Sequence, residues 1–404
     1  MERKTTVIKA GGSCLVNGRA LAQVNQQILR IKERGITPVI VVSAFKGMTD
    51  SLLDISVNGQ LRPNPKMVDQ ILSEGEQMAA RIMQTTLESA GLKVRALLLS
   101  DPDFPIITDA AHGLATILLE ETENKIREVL IPLLDRGIIP IIPGFVGKTP
   151  RGDITTIGRG GSDTTAIVIG KALKSEEVLL LKDVPGILSG DPRMVDAPEQ
   201  LSRITVEECL DLAIKGGEVV CPFSLIYNPN VVKLRVVNYT SEDLPQGGTT
   251  IDGEIEQRIK VDVKENKAAV TVVGKKMNEL LGLLADFSST LSGEGINIYS
   301  VLTSSFSISF YVDEDQRKKA LNLLHGLVLR REELSSVISI SHISIITVIG
   351  KTLATQLGTL EKIASALSKE NIKLIDVNTT MKEVNLFVDQ GDVKKAKRVL
   401  EALF

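Results

Sequence analysis

The chain has 404 residues, a formal net charge of −3, three cysteines, thirteen phenylalanines and tyrosines together, and no tryptophan. That length provides for two or three domains with substantial cores, while the near-balanced charge and scarce aromatic residues exclude a basic nucleic-acid surface and a stacking platform for single strands. Cys14, Cys209 and Cys221 have neither metal-ligand nor disulfide spacing, no apolar run approaches membrane-spanning length, and the opening Met1-Glu-Arg-Lys-Thr-Thr6 carries no signal-peptide apolar region; a cytoplasmic protein with free thiols, without nucleic-acid or membrane partners, is the expectation.

In chain order, short runs rich in Val, Ile and Leu at Thr6–Ala10, Pro38–Ser43, Ile138–Phe145, Val178–Leu181 and Leu234–Val237 predict strands. Helical patterns such as Ala115–Asp135 lie between them, which predicts an α/β domain with a largely parallel, buried sheet. Near residues 252–267 the composition turns charged and polar (Lys264-Glu-Asn-Lys267 within it), and a domain boundary is expected there. Beyond it lies an internal repeat: Val270-Thr-Val-Val-Gly274 matches Ile346-Thr-Val-Ile-Gly350 at a spacing of 350 − 274 = 76, and the same spacing pairs Glu294 with Glu370, Ile296 with Ile372 and Val312-Asp313 with Val388-Asp389. Each copy reads strand, loop, helix, strand, strand, helix, and two small βαββαβ modules are predicted.

Chemistry concentrates at Gly152-Asp-Ile-Thr-Thr-Ile-Gly-Arg-Gly-Gly-Ser-Asp163, ahead of a helical pattern over Thr164–Leu173. Glycines 158, 160 and 161 allow positive φ and close approach of a ligand. Ser162 or Asp163 is placed to cap the helix, whose free N–H groups favour an anion, and Arg159 can grip a carboxylate with two parallel hydrogen bonds. A glycine cluster alone reads equally well as a capping turn. Lys9-Ala-Gly-Gly-Ser13 ends a strand and can cradle a polyphosphate without being a Walker loop; by itself an ordinary turn fits it better. In Ser73-Glu-Gly-Glu-Gln77, Glu74 and Glu76 are either ligands or acids favoured in a first helical turn. In Lys182-Asp-Val-Pro-Gly-Ile-Leu-Ser-Gly-Asp-Pro-Arg193, Asp183 and Asp191 either serve a nucleotide or cap turns. His112, His325 and His342 form no ligand or triad pattern.

Taken in order, Lys9-x-Gly-Gly, Val42-Ser-Ala, Gly75-Glu-Gln, Thr155-Thr-x-Gly-Arg-Gly-Gly-Ser-Asp163 and Asp183-Val-x-Gly…Asp191-Pro-Arg193, with the tandem modules, resemble the aspartate kinases over essentially the whole chain. The resemblance implies a three-layer amino-acid-kinase fold over residues 1–258, followed by two ACT modules at 265–340 and 341–404 that interleave and pair in a homodimer or larger assembly. It implies ATP-dependent phosphorylation of the L-aspartate side chain, at the head of lysine, methionine and threonine synthesis. Lys9 and Asp163 would be catalytic, Asp163 by holding the lysine. Thr49, Glu76, Arg159 and Ser162 would bind the amino acid, with Glu76 on its ammonium group. Gly11, Gly12, Ser13, Lys182, Asp183, Gly186, Asp191 and Arg193 would bind the nucleotide, and Mg²⁺ would sit mainly on the phosphates without a protein ligand set.

Three departures qualify this. Lys182 stands where the pattern has threonine, and Glu218 where it has a residue that contacts phosphate, so that either Lys215 compensates or Glu218 turns outward. Cys221 is expected to be a buried packing residue. Tyr299 replaces an aspartate that binds the ammonium group of a lysine or threonine effector, leaving Asn297 and Ser304 as candidate effector contacts. A kinase for another carboxylic acid and a non-catalytic amino-acid sensor are the alternative readings.

Overall fold

A computed structural model describes residues 4–57, 63–217, 220–227, 232–241, 247–253, 259–277, 279–350, 353, 358–380 and 382–404. The chain divides into two compact units, Met1–Ile255 and Glu256–Phe404.

The first unit contains β1 (Thr5–Ala10), α1 (Gly18–Glu33), β2 (Thr37–Val42), α2 (Met48–Val57), α3 (Pro65–Ser89), β3 (Val94–Ala96), α4 (Leu119–Asp135), β4 (Ile139–Pro143), β5 (Val146–Lys148), β6 (Ile154–Thr156), α5 (Gly161–Ala172), β7 (Glu177–Lys182), β8 (Arg203–Thr205), α6 (Val206–Ile214), α7 (Pro222–Ile226), β9 (Lys233–Asn238) and β10 (Thr249–Asp252). Eight strands form one sheet in the order β3-β4-β2-β1-β7-β9-β10-β8. All its pairings are parallel except β9 with β10. The central strands read as unbroken apolar runs because helices cover both faces. Val7, Val39 and Leu180 pack with α4 and α5, whereas Ile8, Ile40 and Leu179 pack with α1 and α3. The sheet is therefore the middle of three layers, the fold class expected. Helix α4 begins later than the apolar pattern from Ala115 predicts, because Ala115 donates to Thr156 and Thr116 to Asp109 in an extended segment.

The second unit contains β11 (Lys260–Gly274), α8 (Leu283–Gly293), β12 (Ser300–Thr303), β13 (Ser307–Asp313), α9 (Arg317–Val328), β14 (Leu334–Ile349), α10 (Thr359–Lys369), β15 (Leu374–Thr379), β16 (Glu383–Asp389) and α11 (Val393–Leu403). Its antiparallel sheet runs β12-β13-β11-β14-β16-β15. The two longest strands pair twice: Ala269–Gly274 with Leu334–Ile340, and Lys260–Lys264 with Ile345–Ile349. The charged Lys264–Lys267 stretch thus lies inside β11, not in a connection. It forms a bulge with Asn266 at φ 57°, a conformation asparagine tolerates. The 76-residue spacing recurs in the geometry. Gly282 and Gly358 start α8 and α10 at φ 77° and 79°, and Lys319 and Lys395 donate to the carbonyls of Glu294 and Glu370.

Each half of this sheet carries two helices over its own core, one around Phe287 and Phe310 and the other around Ile363 and Leu386. Tyr311 alternates with Phe310 and Val312, so it points to the opposite face. There it joins Ala269, Ile343, Ile345 and Phe387 in a fully dry cluster, its ring centroid 4.0 Å from that of Phe387. The Tyr311 hydroxyl donates to the Asp376 carboxylate. Phe387 comes from the second repeat and Tyr311 from the first, so this contact joins the two copies. Phe387→Ala is expected to lower the unfolding free energy of the second unit by about 3–5 kcal/mol, checked by urea unfolding of the full chain. A loss under about 1 kcal/mol would mean that the two faces do not depend on this contact.

Candidate active site

Strands β1 and β7 are parallel neighbours, with Lys9 beside Leu180 in register, so both end at the same edge of the sheet. Lys9 and Lys182 lie at those ends, and their ammonium groups converge on one carboxylate. Lys9 Nζ is 2.7 Å from Asp163 Oδ1 and Lys182 Nζ is 3.6 Å from Asp163 Oδ2. Lys9 and Asp163 are buried. Burial alone would raise the Asp163 pKa, but the two ammonium groups overcome it and hold the carboxyl at about 2. Burial lowers the Lys9 pKa, with Asp163 opposing and Lys182 adding to the fall. The cluster of two cations and one anion carries a net charge of +1. Gly11 is bare by necessity: a Cβ there would stand 2.8 Å from Lys9 Nζ. Gly12 opens a single 3-10 turn, Gly12–Cys14, in which Ser13 lies half-buried.

Asp163 occupies the first turn of α5, whose N-cap is Gly160 at φ 75° with no side-chain cap. Neither Ser162 nor Asp163 caps the helix, contrary to expectation. Asp163 is drawn to the lysines, and Ser162 is buried where a Cβ on Gly144 would meet its Cα at 2.8 Å. Gly158 and Gly160 take positive φ, but Gly161 does not; it is bare because a Cβ would reach the Phe145 Cα at 2.9 Å. Arg159 is exposed. Its carbonyl accepts from Cys221 Sγ at 3.2 Å, and a Cβ on Gly160 would fall 2.1 Å from the Cys221 Cβ. Cys221 is therefore half-buried against this loop and is not an interior packing residue.

Glu76 lies in the middle of α3, not in a first turn. Gly75 lets the helix approach the Ser43-Ala44 turn, since a Cβ would meet Ala44 Cβ at 2.9 Å. Glu76 Oε1 then accepts from Ala44 N–H at 3.2 Å, and Oε2 is buried with no partner. Burial pushes the carboxyl up to about 7 against the opposing backbone hydrogen bond. A buried carboxylate oxygen left open is suited to an ammonium group from outside the chain. Thr49 lies half-buried in the first turn of α2.

The other expected residues do not join this cluster. Gly186 is bare because a Cβ would sit 2.4 Å from Thr249 Oγ1, a packing reason. Asp191 and Arg193 pair with each other at 2.9 Å, both exposed, and Asp183 is exposed beside them in sequence. In the second unit Asn297 is exposed, and Ser304 ties a turn by bonding Ser307 and accepting from Phe306 N–H. Tyr299 donates to Asp313 and lies under Lys267, whose Nζ is 3.9 Å from its ring centroid. Glu218 lies outside the described residues. Missed entirely was Asp69, a buried acid on α3 that bonds His112 and Thr156; those residues are too far apart in sequence for any spacing to reveal them.

A sequence model of the amino acid kinase family matches residues 4–238, and one of an ACT domain matches residues 270–327. An aspartate kinase of Pseudomonas fluorescens (strain SBW25) is 29% identical over 414 residues, covering 98% of this chain and 97% of that one. An aspartokinase of Geobacillus stearothermophilus is 28% identical over 408 residues, covering 98% and 96%. Among solved structures, the aspartate kinase from Synechocystis has a TM-score of 0.80 at 24% identity, covering 99% of this chain and 69% of that one. E. coli aspartokinase III in complex with aspartate and ADP has a TM-score of 0.56 at 21% identity, covering 99% and 100%. Both likenesses are of fold.

Since the Glu76 value lies above the ordinary 4.5, the folded chain holds more protons than the unfolded one between about pH 4.5 and 7. Stability therefore falls as pH rises through that window. Glu76→Gln cannot ionise, so its unfolding free energy at pH 8 is expected to exceed the parent's by about 2–3 kcal/mol, with the gap closing towards pH 4.5. Equal stability at pH 8 would mean that the carboxylate is already compensated.

Proposed function

The chain belongs to the amino acid kinase family, and we propose that it is an aspartate kinase, transferring the γ-phosphoryl group of ATP to the side-chain carboxylate of L-aspartate under amino-acid control. The carrying observation is the Lys9–Asp163–Lys182 cluster at the N-terminus of α5, within a chain aligned almost end to end with aspartate kinases. Ligands in open α/β sheets bind beyond the carboxyl ends of the strands, where these lysines lie.

The chemistry needs little from the protein beyond alignment and charge. The aspartate carboxylate is ionised at neutral pH, so no general base is required. Its oxygen attacks the γ-phosphorus, the bond from that phosphorus to the β,γ-bridging oxygen breaks, and ADP leaves with the electron pair. Lys9 and Lys182 neutralise charge on the transferring group. Asp163, held ionised by both, fixes their positions and does not act as a base. The free N–H groups of α5 and the Gly11-Gly12 backbone receive phosphate oxygens. Since both Asp163 oxygens face ammonium groups, Mg²⁺ fits as a partner carried in on the phosphates, where it screens their charge. Glu76 Oε2 takes the α-ammonium group, Arg159 clamps a carboxylate, and Thr49 and Ser162 complete the amino-acid site. Asp183, Asp191 and Arg193 remain the nucleotide loop. Lys182 adds a second cation beside Lys9, and Lys215 remains the proposed counter-charge to Glu218.

Control by lysine or threonine belongs to the second unit. A cavity of about 380 Å³ there is lined by Asp262, Lys264, Tyr299, Thr347, Glu383 and Asn385 among others, offering both charges to a zwitterion. Calorimetric titration with lysine and threonine tests this, and no heat with either would leave the modules to assembly alone. Light scattering tests the expected homodimer.

Hydroxylamine should trap aspartyl hydroxamate when the purified protein is given MgATP and L-aspartate. Lys9→Ala is expected to lower kcat by about 10²–10³-fold, and Arg159→Ala to act mainly on KM for aspartate. Turnover of glutamate or N-acetylglutamate instead would reassign the acid and keep the chemistry. Aspartate binding without ADP release in the parent chain would overturn the enzyme reading.

A further inference from the structure

The mechanism leaves one buried acid without a task. Asp69 is 1% exposed and bonds three groups from two other segments. Thr156 Oγ1 donates to its Oδ1 at 2.6 Å, while Gly113 N–H at 3.2 Å and His112 Nδ1 at 2.7 Å meet its Oδ2. Thr156 ends β6, two residues before Gly158 and three before Arg159. The His112-Gly113-Leu114 turn closes on that same place. Ala115 N–H bonds the Thr156 carbonyl at 2.9 Å, and a Cβ on Gly158 would stand 2.7 Å from Leu114 Cδ2. A second tie runs from the start of α3 to the same hairpin, where Lys66 Nζ is 2.6 Å from Asp153 Oδ1.

Asp69 and Glu76 are seven residues apart on α3, so they share one face of the helix. One helix therefore carries the open carboxylate for the ammonium group and, two turns earlier, the anchor for the root of the Arg159 loop. We propose that Asp69, with His112 and Thr156, is a positioning node that sets the separation between Glu76 and Arg159, and with it the length of dicarboxylic amino acid that the site accepts. The substrate part of this rests on the kinase reading; the positioning part does not. The Thr156 hydroxyl and the Gly113 N–H supply directional bonds to the Asp69 side chain, and their loss frees the loop without touching the lysine cluster.

Thr156→Val keeps the shape and removes the hydroxyl, whereas Thr156→Ser keeps the hydroxyl. In the valine variant KM for aspartate is expected to rise about tenfold or more, with KM for ATP within about twofold. The preference for aspartate over glutamate, read as the ratio of kcat/KM values, should fall, and the serine variant should restore all three. His112→Ala should act in the same direction and more weakly. A loss spread equally over aspartate and ATP, or no rescue by serine, would overturn the node. Amide hydrogen exchange on the ligand-free proteins separates this from the substrate assignment. Thr156→Val should speed exchange at residues 111–115 and 157–161 and leave β1 and β7 protected; unchanged exchange there overturns the node whatever acid the parent chain phosphorylates.

Discussion

The carboxyl-end edge of the first unit's sheet hangs on one carboxylate shared by two buried or half-buried lysines. Asp163 keeps the Lys9 and Lys182 ammonium groups together where, without it, they would repel each other in a poorly solvated place. That requirement reaches outward through the fold. It demands that β1 and β7 be parallel neighbours, that α5 begin opposite their ends, and that the backbone at Gly11 stay bare. A parallel sheet meets the first condition without further adjustment, since all its strands finish on one side. The residual positive charge, set beside a helix N-terminus, favours an anion there.

Helix α3 meets a different demand, that of burying polar groups. It buries Asp69, Ser73, Glu76 and Gln77 along a face that would otherwise be apolar, each a cost unless bonded. Most are bonded: Gln77 accepts from Leu99 N–H and Gln84, farther along, from Ala96 N–H. Glu76 Oε2 is the exception, a buried oxygen whose proposed partner is an ammonium group from solution.

Much of the fold was legible because its physics is periodic. Strands buried on both faces read as apolar runs, and the 76-residue spacing reappears as matching glycine starts and lysine–carbonyl bonds. Lys9, Arg159 and Asp163 stood out because glycines beside them needed a backbone reason. What sequence reading lost was contact between distant segments. Lys182, expected at the nucleotide, gave no sign in the sequence of its tie to Asp163, which depends on the parallel pairing of β1 with β7. Asp69, His112 and Thr156 come from a helix, a turn and a hairpin, and only folding assembles them. Hydrogen bonding also overrode local propensity: Ser162 and Asp163 are natural caps, yet glycine occupies the cap because the aspartate is engaged elsewhere. The charges of Lys264–Lys267 resembled a linker, whereas a bulge lets them sit within a long strand.

That long strand constrains how the molecule comes into being. Lys260–Lys264 leave the ribosome well before Ile345–Ile349, their partners in the sheet, and β14 in turn divides its length between both repeats. The first copy pairs its four strands within residues 267–340, whereas the second draws one of its strands, Lys260–Lys264, from ahead of the first copy. The first copy can therefore fold as it emerges, while Lys260–Lys264 must wait for Ile345–Ile349. That interval leaves its backbone edge unpaired, open to other nascent chains and to chaperones, and a truncation just beyond Ile340 would strand this segment while leaving the first copy's pairings whole.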